Sequence, residues 1–375
     1  MPELHPGLKG VYLSTSAASF IDGEEGRLYY RGYNIHDLAE YSTFEETAFL
    51  LLRGHLPSRA ELDAFDRELK SARAIPEPVI EVIRQVQASH PMDVLRTAMS
   101  ALSAYDPETE DMAPEASLRK GIRMTAQAPT IVAAHDRIRA GKQPVAPKDT
   151  LSHAANFLYM LFDREPTEEE SRLIDVDLIL HAEHGSNASS FAARVTASTN
   201  ADIHCAIVSA IGTLKGPAHG GAAEAVMKMA QEIGRPERAQ DYVRERLATR
   251  GKIMGFGHRV YRAEDPRARH LRHRAADLAT KKGDPHWFQI LQEIEKVMEQ
   301  YRSRGIWVNV DFFAGVIYYL LGIPEDLFVP MFALGRVPGW VLQALEQYEE
   351  NILIRPLMEY EGELDRPYVQ LNERG

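Results

Sequence analysis

Cysteine is almost absent: Cys205 is the one cysteine in 375 residues. A single thiol excludes an intrachain disulfide and a cysteine-based zinc site, and it favours a reducing compartment. Long uncharged runs are missing too. The longest obvious one, Phe312 to Pro324, has 13 residues, short of the 18 or so that a membrane helix needs. The opening MPELHPGLKG has no apolar signal core, so the cytoplasm is the expected compartment. The chain also lacks surplus positive charge, with 43 Lys and Arg against 54 Asp and Glu and a net charge of −11. Such a chain is a poor general binder of nucleic acid or membrane surfaces, both anionic. Glycine and proline, at 25 and 21 residues, hold their ordinary share, which excludes collagen-like and low-complexity chains.

What is present reads as a globular, mainly α protein. Apolar residues are 45% and charged residues 26%, and the length suggests two or three domains at about 150 residues each. Near the start, Ser19–Ile21 and Arg27–Tyr30 flank an Asp22-Gly23 turn signal, which predicts a small hairpin. Helical periodicity follows. Ser58 with Glu61, and Thr167 with Glu170, are capping-box pairs ahead of apolar stripes such as Leu62, Phe65 and Leu69. Val79, Ile80, Val82, Ile83 and Val86 form another stripe, and residues 149–162, 222–233 and 287–301 read as helices. Strand–helix alternation and 30–45-residue repeats are both missing, which argues against α/β and solenoid folds. Glycine-bearing breaks at 216–221, 251–257 and 283 mark off a possible separate lobe over residues 217–316.

The acidic total conceals a basic island. Residues 250–274 hold eight Lys and Arg, seven of them Arg, against Glu264 and Asp265, a net of +6. Arginine suits planar, bidentate recognition of carboxylate or phosphate. Gly255 and Gly257 allow backbone N–H groups to approach an anion closely. The plain alternative is a solvated basic helix face.

Five other constellations carry chemistry. His181 and His184 lie at i, i+3, as a pocket-lining or metal pair or as structural histidines; a third metal ligand is not evident. His219, between Gly216 and Gly220 and ahead of a helix, is placed for a neutral imidazole that donates to a developing oxyanion, or is a loop residue. His258 repeats the theme inside the island. Asp311 is either the N-cap of an apolar helix or a general base tuned by burial. Arg336 and Arg355 are cations in apolar surroundings and require anions, from substrate or from an internal salt bridge.

Together these segments resemble the citrate synthase family. The matching stretches, in order, are FIDGEEGRLYYRGYNIHDLA, SHAANFLYM, ILHAEHGSNASSF, IGTLKGPAHGGAAEAV, IMGFGHRVYRAEDPRA, NVDFFAG and ILIRP. They run from about residue 10 to the C-terminal region. The resemblance implies a citrate-synthase-like two-domain helical fold: residues 1–216 and 317–375 form the large domain and residues 217–316 a small mobile one. It implies condensation of acetyl-CoA with oxaloacetate and hydrolysis of citryl-CoA, with no metal or redox cofactor. Asp311 would be the base, His219 the donor to the thioester oxygen, and His258 the group that polarises the ketone. His184, His258, Arg267, Arg336 and Arg355 would hold oxaloacetate, with Arg355 reaching in from the partner of a homodimer. Lys252, Gly255, Gly257, Arg259, Arg262 and Arg304 would meet CoA. His181 has no catalytic role in this reading.

Some positions depart from the family pattern. Val308 stands where Pro is common, Ala314 where Ser is, and Gln343 where His is frequent; Ala218 beside His219 is small. The resemblance also implies a dimer lacking the extra N-terminal β domain of longer, NADH-inhibited hexamers. Alternatives are 2-methylcitrate synthase, which uses propionyl-CoA, a non-catalytic helical scaffold, and a His-metal hydrolase.

Overall fold

A computed structural model describes residues 4–374. Three short strands, β1 (Ser19–Asp22), β2 (Arg27–Tyr30) and β3 (Tyr33–Asn34), form one antiparallel sheet in the order β1-β2-β3. The predicted hairpin pairs Phe20 with Tyr29 and Ile21 with Leu28. Asp22 closes its turn by accepting from the N–H groups of Glu24 and Glu25. Strand β3 was not anticipated, because two residues are too few to show a period.

Sixteen α-helices make up the rest of the fold among the described residues. The first six are α1 (Ile35–Tyr41), α2 (Phe44–Arg53), α3 (Arg59–Ser71), α4 (Glu77–Gln85), α5 (Pro91–Leu102) and α6 (Pro114–Arg139). Next come α7 (His153–Phe162), α8 (Glu168–His181), α9 (Ala188–Ala197) and α10 (Ile203–Leu214). The last six are α11 (Ala222–Ile233), α12 (Ala239–Ala248), α13 (Pro266–Lys282), α14 (His286–Met298), α15 (Asp311–Leu321) and α16 (Phe328–Glu349). Both capping boxes form as the spacing requires, at α3 and α8. Two boundaries differ from the periodicity. Ser152 caps α7 through the N–H of Ala155, so this helix starts at His153 and not at 149. The 287–301 stretch is α14 followed by a 3-10 turn, Glu299–Arg304.

Helix α16 is the axis of the core. The stretch Glu325–Glu349 is long and apolar enough to cross a membrane by composition alone, yet its apolar 18-residue window is wholly buried in the fold. It packs against α2, α6, α8, α9 and α10. Its close approach to α8 depends on two glycines. A Cβ at Gly335 would lie 2.9 Å from Leu178 O, and one at Gly339 only 2.1 Å from Ala182 O. The chain leaving α8, with His181, Glu183 and His184, is therefore held against Arg336, between those glycines on α16.

The N-terminal hairpin has a positioning role. A Cβ at Gly23 would meet Val260 O at 2.5 Å, and one at Gly26 would meet Glu264 O at 2.6 Å. Arg262 N donates to Gly23 O (2.7 Å). The hairpin turn is thus pressed against the loop that carries His258 and leads into α13. A single apolar cluster links all of these elements, from Ala18 to Ala344.

Candidate active site

Four elements deliver the candidate residues: the end of α8, the loop before α11, the 254–267 loop into α13, and the start of α15. A fifth, α16, supplies Arg336 from the core. His184, Arg267, Asp311 and Arg336 are all buried. His184 and His258 have ring centroids 5.1 Å apart, and Tyr261 OH lies 3.1 Å from His184 Nε2. Phe332 links the other side, with its ring 4.6 Å from His181, 6.2 Å from His219 and 4.8 Å from the Arg336 guanidinium.

Backbone donors set the tautomers of the two imidazoles. His258 Nδ1 accepts from the N–H groups of Val260 (3.0 Å) and Tyr261 (3.2 Å). A nitrogen that accepts carries no proton, so the neutral ring presents Nε2–H. His219 is the mirror case. Ser189 N donates to its Nε2 (3.3 Å), which leaves the proton on Nδ1. The Ser189 hydroxyl, 2.8 Å from that Nε2, itself accepts from Trp340 Nε1 (3.0 Å).

Burial keeps both rings neutral. Desolvation, helped by the charge of Arg336, lowers the His219 pKa to about 4. Desolvation is also the main cause at His258, lowered to about 4, with Arg267 and Arg262 adding to it against Asp265. His184 is pushed well below its ordinary value by burial, Arg267 and His258. Each is therefore a hydrogen-bond donor or acceptor at neutral pH and not a cation.

Asp311 is not an N-cap. It is the first residue of α15, its own N–H donates to Asn309 Oδ1 (3.1 Å), and Val310 occupies the cap position. Among the described residues none donates a hydrogen bond to its carboxylate. Burial therefore dominates and raises its pKa to about 6, against the opposing pull of His181 and Arg267. A carboxylate of this kind is a stronger base than usual and still ionised at neutral pH.

The two buried arginines differ in their commitments. Arg267 forks onto Asp265 through Nε (2.9 Å) and Nη2 (2.8 Å). Asp265 also caps α13 and accepts from Val310 N (3.2 Å), so it ties the arginine to the backbone just before Asp311. Arg336 donates through Nε to His181 O. Its Nη1 is buried without a partner, an unused donor of the kind that an anionic ligand satisfies.

The remaining candidates lie outside this cluster. Arg355 is exposed on the extended C-terminal arm and does not join the site within one chain. Lys252, Arg259, Arg262 and Arg304 are also exposed. Arg262 donates to the carbonyls of His258 and Tyr261, and Arg304 lies over the Tyr301 ring. The expected approach of an anion to backbone N–H groups needs correction at Gly257. Gly257 N is already bonded to Trp307 O (2.8 Å), so it offers no free donor to an anion. Gly255 is required by packing, since a Cβ there would sit 2.5 Å from Phe312 and 2.8 Å from Val226. The basic island is partly internal as well, with Arg267 on Asp265 and Arg272 on Glu264 and Glu295.

Two neighbours of His181 were not legible beforehand. Asp177 and Tyr318 sit with it near Asp311: His181 Nδ1 is 2.9 Å from Asp177 O, and Tyr318 OH donates to Asp177 Oδ2 (2.6 Å). The spacings Asp177–His181 and Asp311–Tyr318, i, i+4 and i, i+7, were the available signal. They acquire meaning only when α8 faces α15. A cleft of about 760 Å³, lined by Thr167, Arg172, His273, Arg274 and others, opens at the far end of α8 from His181. That separation is about 20 Å along the helix.

The site thus joins a raised-pKa carboxylate, two neutral imidazoles with opposite tautomers, and two buried guanidiniums. Such a set is chemically suited to an enzyme that abstracts a proton beside a carbonyl and handles an anionic substrate. A family model described as citrate synthase, C-terminal domain, matches residues 7–357. A citrate synthase of Deinococcus radiodurans is 47% identical over 100% of both chains. A 2-methylcitrate synthase of Mycobacterium tuberculosis is 43% identical over 97% of this chain and 92% of its own. A solved structure, the ternary complex of citrate synthase from Thermoplasma acidophilum with carboxymethyl coenzyme A and oxaloacetate, superposes with a TM-score of 0.96. It is 33% identical and covers 100% of both chains. The chain belongs to the citrate synthase family.

Proposed function

We propose that the protein condenses acetyl-CoA with oxaloacetate and hydrolyses the resulting citryl-CoA to citrate and CoA. The observation that carries this reading is Asp311, a buried carboxylate that accepts no hydrogen bond among the described residues and feels the charge of the site arginine Arg267. The ionised Asp311 takes a proton from the acetyl methyl group, and Nδ1–H of His219 stabilises the enolate oxygen. Nε2–H of His258 polarises the oxaloacetate ketone and protonates its oxygen as the carbon–carbon bond forms. Arg267, Arg336 and His184 hold the oxaloacetate, and no metal or redox cofactor takes part. Thiol release that requires both substrates tests this reading, and release without oxaloacetate would count against it.

Access supports a mobile lobe over residues 217–316. His184, Arg267, Asp311 and Arg336 are buried and His219 and His258 half-buried, so substrates gain access as His258 and Arg267 move away from His184 and Arg336. The exposed cations Lys252, Arg259, Arg262 and Arg304 remain the candidates for CoA phosphates. A homodimer in the cytoplasm completes the reading, with Arg355 acting across the interface. The arm that carries it exposes Ile352, Leu357 and Met358, the last at 94%, apolar surface of the kind a partner subunit covers.

The second reading is 2-methylcitrate synthase, favoured by the 43% identical relative. One methylene is worth about 1–3 kcal/mol of discrimination. Comparing kcat/KM for acetyl-CoA and propionyl-CoA decides between the two.

The base also dictates a pH dependence. Asp311 must be ionised to act, and burial has raised its pKa to about 6. We expect kcat/KM to fall as pH drops through about 6, tenfold per unit below it. An acid limb near the ordinary aspartate range would contradict the assignment.

A further inference from the structure

Behind Arg336 lies a buried polar group that the mechanism above does not use. Glu183 is 0% exposed. Its Oε1 accepts from Ser19 Oγ (3.2 Å) and Gln343 Nε2 (2.9 Å). Its Oε2 has no hydrogen-bond partner, and neither has Arg336 Nη1. Arg336 and Glu183 are nonetheless strongly coupled, each being the foremost charge acting on the other.

The two site arginines thus have different counter-ions. Asp265 receives Arg267 N, Nε and Nη2 together with Val310 N, and these hold it below the ordinary carboxylate range despite burial. It is a permanent anion. Glu183 has only neutral donors, the side chains of Gln343 and Ser19 and the backbone of Gly185, so burial outweighs them and Arg336 and raises its pKa to about 7. A second anion placed beside Arg336 raises that value further, because like charges disfavour ionisation.

We propose that Glu183 is an exchangeable counter-ion of Arg336: a substrate carboxylate displaces it electrostatically, and Glu183, where ionised, is protonated from solvent as the dicarboxylate binds. The proposal rests on the reading that Arg336 holds an oxaloacetate carboxylate. In the empty site Glu183 is an internal competitor for the guanidinium. In the occupied site it is a neutral acid and the substrate takes over the charge. Glu183 is a positioning residue in this scheme, acting through Arg336.

The groups facing Glu183 leave it as the one poised at neutrality. From β2, Tyr30 OH accepts from Glu183 N (3.2 Å), and its own pKa is pushed up to about 12 by burial. From α13, Arg267 remains charged. His184 is held neutral at physiological pH. On α9 and α16, Arg194 and Glu346 pair with each other and reach Glu183 only through Gln343. Asp311, raised to about 6, is the nearest rival source of proton uptake and must be controlled for.

Calorimetric titration of the full-length protein with oxaloacetate, in buffers of different ionisation enthalpy, counts the protons. At about pH 7 a group of pKa about 7 is half protonated, so the wild type should take up about half a proton at Glu183. Glu183→Gln should lose that share, and Asp311→Asn should keep it. Glu183→Gln should also bind oxaloacetate more tightly than the wild type at about pH 8 and equally at about pH 6. A merely structural glutamate gives weaker binding at both values and an unchanged proton count, which overturns the proposal. Should the variant fail to fold, Asp311→Asn alone suffices: its uptake must rise between about pH 6 and 8, and a flat count overturns the proposal. Absence of oxaloacetate binding in the wild type removes the functional reading as well. Binding with no Glu183-dependent uptake removes this proposal alone.

Discussion

Replacing Asp311 by asparagine is expected to lower kcat by about 10²–10⁴-fold, the usual share of a general base. Asparagine has nearly the same shape but cannot accept the methyl proton. The fold should survive, because among the described residues none donates a hydrogen bond to the lost carboxylate. Stability should even rise at neutral pH. An acid whose pKa goes from 3.8 to about 6 on folding contributes full stability below 3.8 and loses it as pH climbs past 6. At neutral pH the removed penalty is on the order of 3 kcal/mol. The check is paired: steady-state kinetics with both substrates, and thermal unfolding at about pH 5 and 8. An active variant would remove the base from the mechanism. An inactive variant that melts earlier at both pH values would make Asp311 a structural residue.

Gly339→Ala is expected to destabilise the protein by about 3 kcal/mol, the upper part of the usual range for overpacking a core. The added methyl would stand 2.1 Å from Ala182 O and 2.7 Å from Glu183 Oε2. One of these is backbone, so the two helices must separate. Separation moves the His181–His184 segment away from Arg336. The KM for oxaloacetate should therefore rise about tenfold, equal to about 1.4 kcal/mol of lost binding, with kcat at saturation less affected. Denaturant unfolding and initial rates in oxaloacetate check the two effects. A variant with wild-type stability would mean that α8 and α16 do not approach as closely as this packing requires.

The two substitutions probe different levels of the molecule. Asp311 acts at the reacting atoms, so its loss is felt in kcat. Gly339 acts by setting a distance between helices, so its loss is felt first in stability and in substrate binding. Glu183 lies between them, touching Gly339 on one side and acting on Arg336 on the other.

Local codes were legible in the chain. The capping boxes at Ser58 and Thr167, the Asp22-Gly23 turn and the apolar stripes of α3 and α11 are short-range patterns, and the structure follows them. The order of the histidine, glycine and arginine motifs was equally visible and was enough to place the chain in its family. The misleading signals were also local. Asp311 was open to reading as an N-cap because Asn309, two residues earlier, supplies the bond that the pattern suggested for Asp311. Gly257 suggested a free anion donor because nothing nearby in sequence reveals its pairing with Trp307.

What sequence alone determined, then, was the helical class, the capped boundaries and the identity of the chemical groups. Their states were decided by the tertiary structure. The pKa of Asp311, the tautomers of His219 and His258, and the orphan donor on Arg336 each depend on what surrounds a side chain, and those neighbours come from α8, α13, α15 and α16. Periodicity reports which face of a helix is buried. It does not report which other face it meets, and the free energy of a charge or a proton in a protein is set by that meeting.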